Sequence, residues 1–174
     1  AGPAARLARG GELGRYRILH FASHAVADPL DAARSGVVVG AGPHGAPAWL
    51  RSAEVRRLDL RADLVVLSGC RTALGRELRG EGLLGLAHAF FDAGASSLAV
   101  GLWDLQDRSA AQLVDRFYRA LLERGRPPAA ALRDAQLELA GDARWSAPVH
   151  WAGLLLQGDG WSDPLRHPPN KETR

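Results

Sequence analysis

The sequence is poor in several residue types, and each shortage narrows what the chain can be. Only Cys70 occurs among 174 residues, so no disulfide can close within the chain. A single thiol fits a reducing cytoplasm better than an exported, disulfide-stapled fold. Methionine is absent and lysine occurs once, at Lys171. Arginine carries almost all the positive charge and is interleaved with Asp and Glu, for a formal net charge of +3. This pattern makes no basic footprint for nucleic acid and reads as the habit of a GC-rich, bacterial genome. No apolar run is long enough to span a membrane; the longest, near Leu83 to Ala95, is broken by Gly85, His88 and Asp92. The region after the first strand lacks a dinucleotide or P-loop fingerprint, which argues against a nucleotide-binding domain. The chain opens without Met or a leader-like segment, from which a missing N-terminal region is expected.

What remains suffices for one globular domain, with 47% hydrophobic residues. Arg17 to Ala22 reads as a strand ending at Ser23-His24, and Ser35 to Val39 as a second. The Gly/Pro segment after it turns the chain so that Ala48 to Leu50 returns as a hairpin. Ser52 is expected to cap a short helix over SAEVRRLDL, with Val55 and Leu58 inward. Asp63 to Gly69 is a continuous apolar run of the kind buried on both faces of a parallel sheet. Helices follow over Glu81 to Ala93, from an Asp107 cap to Gly125, and from Pro127-Pro128 to Leu139. Ser97 to Trp103 and His150 to Gln157 read as further strands. Strands alternating with helices predict an α/β domain with a mainly parallel sheet covered on both faces.

In such sheets ligands meet the carboxyl ends of the strands, which directs attention to His24 and Cys70. They stand 46 residues apart, room for a hairpin, a helix and a return to a neighbouring parallel strand. The thiolate is the attacking species, and a free thiol with a pKa of roughly 8.5 needs a base or cation beside it. A histidine supplies either. The bland alternative is that Cys70 is a small core hydrophobe. His20 with His24 and Cys70 allows a three-ligand metal site as another alternative, although their spacing is not that of a helical zinc motif. His44, His88 and His150 read as structural or solvated.

The segments ILHFASHAVADP, LVVLSGCRTALG, GEGLLGLAHAFFDAGASSLAVGLWDLQD and HWAGLLLQGD resemble successive motifs of the CHAT domain family. They run in order from Leu19 to Asp159. The family shares a superfamily with caspases, separase, legumain and gingipains. The resemblance implies a caspase-like αβα sandwich and a cysteine endopeptidase whose His-Cys dyad is His24 and Cys70, with no cofactor and no metal. It also implies backbone oxyanion donors at Ala25 and Cys70. Two positions depart from the family pattern: Ala25 replaces the usual Gly after the histidine, and Gly69 replaces a frequent Ala before the cysteine. Related enzymes choose a basic P1 residue through an acidic pocket, for which Asp104 and Asp107 are candidates; Asp107 is also explained as a helix cap. Asp28 is a candidate to orient His24, or a turn residue before Pro29.

The expected organisation is a linker or the end of a repeat domain over 1–14, the peptidase domain over 15–160, and a flexible tail over 161–174. CHAT domains commonly follow helical repeats, so the resemblance implies such a region N-terminal to this one. It further implies a protein or peptide substrate and a regulatory partner. The loop Arg71 to Gly80 directly follows Cys70 and carries Gly75, Gly80 and the charged Arg71, Arg76, Glu77 and Arg79, so it is expected either to set the activity or to be an ordinary charged surface loop. The alternative reading is a degenerate caspase-like interaction module without activity.

Overall fold

A computed structural model describes residues 11–26, 28, 34–69, 81–103 and 105–162 of the chain. Among these, the central sheet is built from β1 (Ile18–Phe21), β5 (Leu64–Leu67), β6 (Ser97–Gly101) and β7 (Leu154–Gly158), in the order β1-β5-β6-β7. β1, β5 and β6 are parallel, and β7 joins β6 antiparallel. A second sheet holds β2 (Ala25–Val26), β3 (Gly36–Ala41) and β4 (Pro47–Arg51), all antiparallel. The β3–β4 pair is the hairpin expected from the Gly/Pro turn.

Side chains alternate across a strand, and in β5 both directions are buried. Val65 and Leu67 join Leu98 and Val100 beneath α2 (Glu81–Asp92), where Leu86, Ala89 and Phe90 are fully covered. Leu64, Val66 and Ala99 face the other way, onto α3 (Asp107–Tyr118) and α4 (Pro128–Ala140). Leu113, Phe117, Ala131, Ala135 and Leu139 close that second core. The domain is therefore an αβα sandwich around a mainly parallel sheet, as the alternation of elements predicts, and it is caspase-like, as the family resemblance implies.

Several boundaries move. The helix at Ser52 starts directly after β4 but is short (α1, Ser52–Val55): the chain turns after Val55, and Leu60 N–H donates to the Ala93 carbonyl at 2.7 Å. Ser52 is its first residue rather than its cap: it is buried, its N–H donates to the Ser35 carbonyl at 2.9 Å, and Glu54 accepts from the Arg51 N–H at 2.9 Å. α2 stops where expected, at a left-handed Gly94 (φ 106°) whose neighbour Ala95 donates back to the Phe90 carbonyl at 3.0 Å. Beyond α3 the chain widens into a π-helical turn over Arg119–Glu123 and ends at Gly125.

The last strand is shorter than expected. His150 belongs to a helical turn, α5 (Pro148–Trp151), and β7 begins only at Leu154. Pro148 at the first helical position favours the turn, and Ala152-Gly153 then redirects the chain beside β6. The Gly153 carbonyl accepts from Leu102 N–H at 2.8 Å.

Candidate active site

β1 and β5 are neighbours with Phe21 opposite Leu67, so both strands end at the same edge of the sheet. His24 lies three residues past Phe21, exposed, at the corner where the chain leaves the central sheet for β2. One residue of the hairpin, Val38, ties down this corner through both its backbone groups. Val38 N–H donates to the His24 carbonyl at 2.8 Å, and the Ser23 hydroxyl donates to the Val38 carbonyl at 2.5 Å.

The exit of β5 is pressed against the same corner. A Cβ built on Gly69 would lie 2.8 Å from the Ser23 carbonyl carbon and 2.9 Å from its nitrogen, with the carbonyl oxygen closer still. Only glycine allows that approach. The residue before His24 and the residue before Cys70 are thus in backbone contact. Gly69, which departs from the frequent Ala of the family pattern, admits the backbone of Ser23.

Ala25 is buried and pairs with Val37, while the adjacent Val38 bonds to the His24 carbonyl. That places Ala25 in a non-hydrogen-bonded pair of the ladder, so its N–H points away from β3. Asp28 donates its N–H to the Ser35 hydroxyl at 3.0 Å, and its carboxylate pairs with Arg34 at 3.7 Å. Asp107 is exposed at the first position of α3, with Gln106 in the cap position. It complements the helix dipole from the first turn rather than capping the helix. Cys70, the loop 71–80 and Asp104 lie outside the described residues.

A second pair spans β1 and β5 close to this corner, and nothing in the linear pattern announces it. His20 Nε2 lies 2.7 Å from the Ser68 Oγ, and the His20 ring sits 5.6 Å from the ring of Tyr118 on α3. Partial burial lowers the His20 pKa below its ordinary value. Burial pushes the Tyr118 phenol up to about 12, and its hydroxyl has no hydrogen-bond partner among the described residues. Among these residues no group of three His, Cys, Asp or Glu side chains converges as a metal site. No helix among them is long and apolar enough to cross a membrane.

The architecture is peptidase-related in its fold class, and β1 and β5 end side by side at one edge of the sheet. The family model of the CHAT domain matches residues 4–159, and the chain belongs to that family. It is also similar to two proteins named tetratricopeptide repeat protein 28. The mouse protein is 36% identical over 109 residues and the human protein 32% over 109 residues, each match covering 63% of this chain. The match spans only 4% of the length of either relative.

Proposed function

We propose that the protein is a cysteine endopeptidase in which Cys70 attacks the substrate carbonyl and His24 moves the proton. The observation that carries this reading is the backbone contact between Ser23 and Gly69, the residues immediately preceding the two reactive groups. The Cys70 thiolate adds to the scissile carbonyl carbon, the C–N bond breaks, and the departing amine takes a proton from His24. Water then cleaves the thioester, giving a proton back to His24 and releasing the acid. Backbone N–H groups of Ala25 and Cys70 hold the oxyanion, and one such donor is worth about 2.7–4 kcal/mol of barrier. The orientation of the Ala25 N–H away from β3 supports its share of this role. Asp104, with Asp107 as the second candidate, selects a basic P1 side chain.

In this reading residues 15–160 form the peptidase domain. Residues 1–14 join it to a helical-repeat region, anchored by the buried Leu13, and 161–174 form a C-terminal tail. A regulatory partner acts through the repeats and the loop 71–80, and the protein works in the cytoplasm on a protein or peptide substrate.

Incubating the whole protein with a peptide library and mapping the cuts by mass spectrometry tests the proposal. Cys70→Ala and His24→Ala should each abolish cleavage and keep the fold. Undiminished cleavage by Cys70→Ala rules the mechanism out. The competing reading, an inactive interaction module, is favoured by Ala25 standing where the family carries Gly. It predicts that an electrophilic peptide probe leaves Cys70 unlabelled.

A further inference from the structure

We propose that His20 is a positioning residue which, through Ser68, holds the segment carrying Cys70 in register with the segment carrying His24. The proposal rests on the peptidase reading above. His20 stands four residues before His24, and Ser68 two residues before Cys70. The 2.7 Å contact between them crosses from β1 to β5 just past their aligned pair His20 and Val66. It is a side-chain bond placed where the backbone ladder runs out, since the register ends at Phe21 and Leu67.

The two sides of the corner are held by different means. On the hairpin side, Val38 bonds to the backbone carbonyl of His24 and to the side-chain hydroxyl of Ser23. Between the strands, Gly69 touches Ser23, but that contact is steric and attracts weakly. The His20–Ser68 bond supplies the attraction that keeps the two ends closed. The imidazole is itself oriented, because Tyr118 packs its ring against it from α3. Tyr118 in turn touches Phe117, which is fully buried in the core under the sheet. The strand ends are thereby referenced to the helix layer, and reaction geometry is sensitive at this scale: displacements of about 1 Å cost on the order of 100-fold in rate. His20 does not touch substrate in this scheme and transfers no proton.

The test compares His20→Ala, His20→Gln, Ser68→Ala and the His20→Ala/Ser68→Ala double variant of the whole protein. Glutamine places a donor and acceptor near the position of the imidazole Nε2, so it should rescue what alanine loses. Each alanine variant should lower kcat by roughly 10- to 100-fold with KM little changed, the scale set by sub-ångström misplacement. The double variant should lose no more than either single one, because both remove the same bond. Losses that multiply, or a His20→Gln variant as slow as His20→Ala, overturn the proposal, as does wild-type cleavage by His20→Ala. A second readout needs no catalysis: amide exchange over residues 22–26 and 67–70. Protection there should fall equally in His20→Ala and Ser68→Ala and return in His20→Gln; unchanged protection refutes the bond. If no form cleaves, the peptidase reading fails and amide exchange alone decides whether His20 holds the strand ends. If wild type cleaves and His20→Ala matches it, the peptidase stands and the positioning role falls.

Discussion

Replacing Gly69 by alanine introduces a methyl group where the backbone of Ser23 already is. Its carbon would meet the Ser23 carbonyl carbon at 2.8 Å, roughly 0.7 Å short of the ~3.5 Å at which two carbons attract best. The neighbouring atoms are backbone on both sides, so no flexible side chain can swing away. Ser23 is further tied to Val38 through its hydroxyl, which stops β1 from yielding freely. The exit of β5 must therefore move out by more than half an ångström. Overpacking of this kind costs about 1–3 kcal/mol of stability, and a shift of that size costs up to about 100-fold in a reaction that depends on the alignment of two groups. Two assays separate the effects. Denaturant unfolding reads the stability loss, and alkylation by iodoacetamide reads the reactivity of Cys70 without ambiguity, because the chain has no other cysteine. Lower stability and slower alkylation near neutral pH are expected, with the fold retained by circular dichroism. A Gly69→Ala protein with wild-type stability and wild-type thiol reactivity would refute the claimed proximity of the two strand ends.

Four further outcomes follow from particular contacts. Phe117 is fully buried between α3 and the sheet, so Phe117→Ala should cost about 3–5 kcal/mol in denaturant unfolding; a loss below 1 kcal/mol would contradict its place in the core. Tyr118→Phe removes a buried hydroxyl without a partner among the described residues, and should leave stability unchanged or raise it by up to about 1 kcal/mol. Because the Tyr118 pKa is raised to about 12, the folded state favours the neutral phenol: stability holds below pH ~10 and falls between about 10 and 12, a drop that Tyr118→Phe should lessen. The His20 pKa is lowered, so the unfolded chain binds more protons on acidification: this contribution is present above about pH 6.5 and is lost below it. Thermal midpoints measured from pH 7 to 5 should fall more for wild type than for His20→Gln, and parallel curves would argue against a desolvated His20.

Much of the architecture could be read in one dimension because it depends on local pattern. The apolar run Leu64–Leu67 identifies a strand buried on both faces, and Gly94 stops α2 because the chain needs a left-handed residue there. The placement of His24 after an early strand, and the expectation that this strand neighbours the one leading to Cys70, likewise come from alternating strands and helices. Local rules went astray where tertiary contacts compete with them. His150 was expected in a strand because its neighbours are apolar, but Pro148 and pairing with β6 put it in a helical turn and delay β7 to Leu154. Asp107 resembles a cap, yet Gln106 holds the cap position and Asp107 is the first residue of α3.

Sequence by itself determined that the chain carries a single thiol, that the sheet is mainly parallel, and the family to which the chain belongs. It could not determine what holds the strand ends together. Ser23 meets Gly69 across 46 residues, His20 meets Ser68 across 48, and Ser23 meets Val38 across 15. Each contact depends on which strands lie side by side and in what register, and on distances of a few tenths of an ångström that no periodicity encodes. The physical reason is that propensity and pattern act over neighbouring residues, whereas packing joins whatever the sheet order brings together. A one-residue slip of β1 against β5 would leave every strand in place, yet separate His20 from Ser68 and Ser23 from Gly69.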